Sequence, residues 1–293
     1  MAHREGGADT SRRRKVYLPS GGCLAMARYR LFQIDAFASR QFSGNPAAVM
    51  PMDHFLPDAQ LQALASENTL SETAFLVSDG PEYRIRWFTP TMEVPLCGHA
   101  TLASAAVVFE RLDPIRESIT FYSASGPLTV RRAGQSYVLN FPARAPLPVA
   151  APLGLESALG STVTQVLDDG FNYVAVLENA SAVHSLAPNL AQILELDRSG
   201  VIVTAAGDRG YDVVSRYFAP AKGIPEDPVT GGAHCTLTPY WANRLGKAEL
   251  KAFQASRRGG EILCRLVGDR VELEGSCCFY LEGEVTLLDS FQR

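Results

Sequence analysis

The chain has 293 residues, 46% hydrophobic and 20% charged, with 24 glycines, 18 prolines and a formal net charge of −4. Such a chain can bury substantial cores without metal or disulfide staples, as two domains or as one large one. Its mild acidity argues against nucleic acid or an anionic membrane surface as partner, and no apolar run reaches the roughly 18 residues that span a bilayer.

Residues 1–28 carry Arg12-Arg13-Arg14-Lys15 and a Gly-Gly pair but no apolar segment, so they read as a disordered extension rather than a secretory signal, with Met26 as an alternative start. The six cysteines form no CxxC pair and no zinc-like spacing, which fits free thiols in a cytoplasmic protein. Patterned sequence begins at Tyr29. Strands are expected over Tyr29–Phe37 and Ala47–Met50, separated by the turn signal Gly44-Asn45-Pro46. A helix is expected over Leu56–Glu67, with Pro57 and Asp58 as start signals. Thr73–Val77 and Tyr83–Phe88 read as strands, Ala-rich Gly98–Leu112 as a buried helix, and Ile119–Phe121, Leu128–Arg131 and Tyr137–Phe141 as strands. The Pro/Ala-rich stretch Pro142–Pro152 is the best boundary. It divides a first domain over 29–145 from a second over 146–293, whose last strand is free to return to the first. Beyond it, Tyr173–Leu177, Val201–Ala205 and Tyr211–Phe218 read as strands. Gly231–Leu245 reads as a helix stopped by Gly246. Many strands and few helices, without regular alternation, exclude a doubly wound parallel sheet.

Two segments repeat. Arg86-Trp-Phe-Thr-Pro90 leads through Pro95-Leu-Cys-Gly-His-Ala-Thr101 into one helix. Arg216-Tyr-Phe-Ala-Pro220 leads through Pro228-Val-Thr-Gly-Gly-Ala233 into the other. Gly98 aligns with Gly231, and the spacing from Phe to Gly is ten residues in the first copy and thirteen in the second. A glycine at a helix start admits close approach of a ligand, and the exposed N–H groups and helix dipole suit a carboxylate. A pair of such entries predicts a small carboxylate-bearing ligand held between two similar domains.

Four residues beside these entries could do chemistry. Glu72, between a helix and an apolar strand, is either an ordinary loop carboxylate or, if buried, an acid/base near neutral pH. His99 is either structural or a proton carrier. Asp227 either complements the second helix dipole, orients His99 or binds a substrate ammonium. Glu226 reads as a solvated neighbour. Cys97 could be a lowered-pKa thiol in a two-base racemase. The repeat, however, places Thr230 opposite it, which cannot serve as a base, so Cys97 reads as packing. His234 and Cys235, deeper in the second helix, read likewise. Walker A, GxGxxG, HExxH and GxSxG motifs are absent from the sequence, which argues against nucleotide, dinucleotide, zinc-protease and serine-hydrolase chemistry.

Phe32–Phe37, Gly44–Val49, Ser71–Phe75, Arg86–Pro90, Val94–Thr101 and Glu226–Ala233, in this order, resemble the phenazine-biosynthesis-protein-F-like family from Tyr29 onward. The resemblance implies an α+β fold of the diaminopimelate-epimerase type: two pseudo-symmetric domains, each a mostly antiparallel sheet wrapped around a central helix. It implies a homodimeric isomerase working by proton shift without metal or organic cofactor. Glu72 would be the acid/base, assisted by His99 and Asp227, with Asn45, Ser71, Gly98, Gly231 and Gly232 binding substrate. The chain departs from the family's phenazine enzyme at Gly232, where that enzyme has Ser, and at Cys97-Gly98-His99-Ala100, where it has Ala-Gly-His-Pro. The substrate is therefore left open. The competing readings are an amino-acid epimerase or racemase using Cys97, and a non-catalytic binding protein on the same scaffold.

Overall fold

The computed structural model describes residues 14–17 and 23–288, the side chains from Met26 onward. Within them the chain is α+β, dominated by strands that surround two central helices, Gly98–Val107 and Gly231–Leu245. The first of these is apolar on every side, and His99 through Val107 are all buried. A helix without a polar face must be enclosed, and the sheet curls around it for that reason. The expected helix to Leu112 is present, but its end, Val108–Leu112, widens into a π-helical turn.

The pairing order is the same in both halves. Asn45–Met52 runs parallel to Glu72–Asp79, which is antiparallel to Glu82–Phe88, which is parallel to Ser118–Ser123. In the second half, Asn172–Val176 runs parallel to Gly200–Ala206, which is antiparallel to Val213–Ala219, which is parallel to Glu249–Gln254. The internal repeat seen in the sequence is thus a repeat of topology. It extends to an ion pair: Arg86 grips Glu93 through two hydrogen bonds of 2.7 and 2.6 Å, and Arg216 grips Glu226 through two of 2.7 and 2.9 Å. Glu226 is therefore no solvated neighbour. Its bidentate bond to Arg216 fastens Ile224–Asp227 to Val213–Ala219.

The halves are joined by backbone. Ser136–Pro142 pairs antiparallel with Arg270–Gly275, and the final strand, Cys277–Leu288, returns to pair along Cys23–Ala36. One apolar core runs continuously around both helices, from Phe32, Trp87 and Phe109 to Trp241 and Leu273. Two smaller clusters lie outside it, one beneath the helix Asp58–Asn68 and one beneath the short helices Leu155–Leu159 and Leu190–Leu194.

The expectation of a disordered extension over residues 1–28 needs correction. Arg14–Tyr17 pairs antiparallel with residues 23–26, and the strand Cys23–Ala36 begins well before Tyr29. The Lys15-Val16-Tyr17 run contains strand formers that the neighbouring arginines masked in the sequence. Residues 1–13 and 18–22 lie outside the described residues, so that part of the expectation stays untouched. Among the described residues, no helix is long and apolar enough to cross a membrane.

Candidate active site

The two central helices start against each other. A Cβ built on Gly98 would lie 3.7 Å from the Cα of Gly231, and one built on Gly231 would lie 3.7 Å from the Cα of Gly98. Neither helix receives a side-chain cap from Cys97 or Thr230. Thr230 is a good capping residue type, yet its hydroxyl donates instead to Asp227 Oδ2 at 2.5 Å. The first-turn N–H groups of both helices are thereby left without a side-chain cap, at the positive ends of two dipoles.

Glu72 begins the strand that runs parallel to Asn45–Met52, in register with Ala47. His99 follows Gly98 in the first turn of the helix. The strand and the helix bring Glu72 Oε2 to 3.1 Å from His99 Nε2, with both residues buried. The approach is an ion-pair contact rather than a well-aligned hydrogen bond, and neither atom has another hydrogen-bond partner. A buried polar atom left this way is costly in a purely structural setting.

Asn45 sits at the centre of the cluster, fully buried. Its Nδ2 is 2.8 Å from Asp227 Oδ1, 3.0 Å from the Val229 carbonyl and 3.2 Å from His99 Nδ1. An amide nitrogen has two hydrogens. The two shorter contacts use them, which leaves His99 Nδ1 facing Asn45 and the Cys97 sulfur at 3.5 Å. Ser71 Oγ donates to Asn45 Oδ1 at 3.0 Å. Both amide ends of Asn45 are thus engaged inside the protein, and the hydroxyl proton of Ser71 is directed at it. Gln254, which the sequence did not single out, closes the far side by donating to the Asp227 carbonyl at 2.7 Å and accepting from Thr230 N at 2.8 Å.

The electrostatics follow from burial among like charges. Burial pushes the Asp227 carboxyl up to about 6, and Glu72 adds to the rise, while His99, Thr230 and Asn45 oppose it. Burial pulls the His99 imidazole down, but Cys97, Glu72 and their contacts outweigh it and hold the ring well above its ordinary value. Burial, reinforced by Glu72, pushes the Cys97 thiol up to about 11. That thiol stays protonated and is a poor nucleophile. Glu72, Cys97 and His99 offer ligand atoms within 4.8 Å of one another. Glu72 contacts Nε2 of the His99 ring and Cys97 contacts Nδ1. His234 and Cys235 are buried packing, as expected. Burial drives His234 down to about 4, and its Nδ1 lies 2.8 Å from the Thr230 carbonyl.

A family model described as phenazine biosynthesis-like protein matches residues 34–283. The chain belongs to that family. Among curated relatives, an uncharacterized isomerase of Pseudomonas aeruginosa is 50% identical over 255 residues, covering 87% of this chain and 97% of its own. The human phenazine biosynthesis-like domain-containing protein is 40% identical over 287 residues, covering 87% of this chain and 98% of its own. Among solved structures, a family member from Enterococcus faecalis has a TM-score of 0.86 at 42% identity, covering 89% of this chain and all of its own. A hydroxyproline epimerase of Agrobacterium vitis, at a TM-score of 0.55 and 12% identity, shares the fold across 90% of this chain and 94% of its own. The family's two-lobed epimerase-like architecture is the one observed here.

Proposed function

We propose that the protein is a cofactor-independent isomerase that moves a proton on a small carboxylate-bearing metabolite, with Glu72 as the acid/base. Two closely similar relatives carry the name isomerase. The observation that carries the reading is the 3.1 Å approach of Glu72 Oε2 to His99 Nε2, two buried atoms without another hydrogen-bond partner, beside two helix starts that lack a side-chain cap.

The substrate carboxylate sits at the N–H groups opened by Gly98 and Gly231. Their dipoles draw electron density toward it and stabilise the carbanion that forms next to it. Glu72, ionised, takes the proton from carbon. The electron pair left behind shifts along the substrate, and Glu72, whose proton exchanges with solvent before it is delivered, protonates a different atom, so the enzyme ends as it began. Protonated His99 stabilises the ionised carboxylate between turnovers. Asp227, held by Asn45 and Thr230, fixes the charge around the ring. A thiol mechanism is disfavoured because Cys97 is held protonated and the corresponding position across the site is Thr230.

The test is deuterium exchange in deuterated water over a panel of small hydroxy and amino acids. Wild type should incorporate label into one class of carboxylate. Glu72→Gln should cut that exchange by about 10²–10⁴-fold, the range of a lost acid/base, while circular dichroism stays unchanged. Retained exchange in Glu72→Gln, with loss in Cys97→Ser, would establish the thiol reading instead.

A further inference from the structure

The repeat is broken at the site itself. Thr73 pairs with Phe88 and Val201 pairs with Phe218, the two phenylalanines that the repeat aligns. The position equivalent to Glu72 is therefore Gly200. A Cβ there would meet the Tyr217 ring at 2.9 Å and its hydroxyl at 3.0 Å. Where the first lobe holds a carboxylate, the second holds a phenol. That phenol donates to Asn172 Oδ1 at 2.9 Å and accepts from Lys222 Nζ at 2.9 Å. Tyr217 lies directly opposite Asp227 in its strand pair, so the two side chains leave the sheet on the same face. Lys222 ends the short turn Pro220–Lys222, inside the connection that is three residues longer than its counterpart.

Arg144 adds a second cation. Its Nη2 donates to the Gly232 carbonyl at 3.0 Å, and its guanidinium lies 5.3 Å over the Phe171 ring. A Cβ at Gly232 would stand in van der Waals contact with Nη2, at 3.5 Å. A guanidinium at the positive end of a helix is the wrong sign for a structural partner. Among the described residues no carboxylate forms an ion pair with Arg144 or Lys222. The two feel each other's charge: burial lowers Lys222 from its ordinary value and Arg144 lowers it further, while Asp227, Asp169 and Glu72 oppose the change. Asp169 is itself engaged by Thr236 and Asn172. At the first helix start, His99 Nε2, its side chain only 5% exposed, has Glu72 Oε2 at 3.1 Å and no well-aligned hydrogen-bond partner.

We propose that Lys222 and Arg144 bind a second anionic group of the substrate, so that the enzyme takes a dianion carrying a carboxylate and either a second carboxylate or a phosphate-type group. An anion between two like charges relieves their repulsion and makes charge-assisted hydrogen bonds to both. The inference rests on the proposed carboxylate site at Gly98 and Gly231, and it narrows the substrate class of that site.

The experiment is calorimetric binding of butyrate, succinate and 3-phosphonopropanoate to the full chain, as wild type and as Glu72→Gln, Lys222→Gln and Arg144→Gln. The dianions should bind at least tenfold more tightly than butyrate. Lys222→Gln and Arg144→Gln should each remove roughly tenfold of that advantage and leave butyrate unchanged, the scale of one charged hydrogen bond. The tighter of the two dianions identifies the second group. Equal binding of all three probes, no binding of any, or an advantage that survives both substitutions overturns the proposal. Calorimetry reads no turnover, so a protein that prefers dianions but exchanges no deuterium keeps the subsite and sinks the isomerase reading.

Discussion

Gly98 and Gly231 face each other across the two helix starts, and the 3.7 Å between a Cβ on either and the Cα of the other is ordinary van der Waals contact. Neither glycine has a positive φ. Gly98→Ala should therefore fold, with a melting temperature at or slightly above wild type because alanine restricts the unfolded chain. The added methyl occupies the gap where a carboxylate would reach the N–H groups. Binding of carboxylate probes should fall by tenfold or more while thermal unfolding is preserved. Unfolding of the variant would count against this account.

Thr230→Val tests the hold on Asp227. The hydroxyl lowers the carboxyl, so its removal should raise Asp227 above about 6. An activity limb governed by Asp227 ionisation should move to higher pH in the variant, read as the pH profile of deuterium exchange. The stability consequence has an unusual sign for a carboxylate. The folded carboxyl at about 6 lies above its unfolded value of 3.8, so between those values the native state binds more protons than the unfolded one. Its contribution is present below pH 3.8 and is lost as pH rises toward 6.

His234 behaves oppositely. Its folded value of about 4 lies below the ordinary 6.5, so its contribution is complete above pH 6.5 and is lost as pH falls toward 4. The shift corresponds to about 3 kcal/mol at most. The His234 imidazole should stay neutral by NMR at pH 5, and His234→Gln should flatten the stability profile between pH 4 and 6.5.

Glu226→Ala removes the partner that Arg216 grips twice, with side chains 12% and 23% exposed. The loss should cost about 1–3 kcal/mol by chemical denaturation, since a part-buried guanidinium is left without its carboxylate. Glu93→Ala, in the more exposed first copy, should cost less.

The helix-entry glycines, His99 and both central helices were legible because each is a local pattern repeated within the chain. Asn45 was harder. Its sequence setting reads as a turn, and its partner Asp227 is 182 residues away, so only the fold shows that it joins the two halves. Glu226 was misread because its partner Arg216 lies ten residues off, on a neighbouring strand, although the aligned Arg86 and Arg216 carried the signal. The replacement of Glu72 by Gly200 and Tyr217 needed strand register, which a sequence does not print. Within the expected disordered extension, only the pairing of Arg14–Tyr17 with Cys23–Met26 departs from the composition, and that pairing is a contact between segments that composition does not encode.

The strand Cys277–Leu288 completes the sheet of the first lobe from the far end of the chain. During synthesis the stretch Cys23–Ala36 leaves the ribosome early and must keep one edge unpaired until nearly everything else has been translated. Vectorial folding of the first lobe is thereby blocked. Its sheet closes only once Cys277–Leu288 has emerged, and until then the unpaired edge of Cys23–Ala36 is open to pairing with another strand.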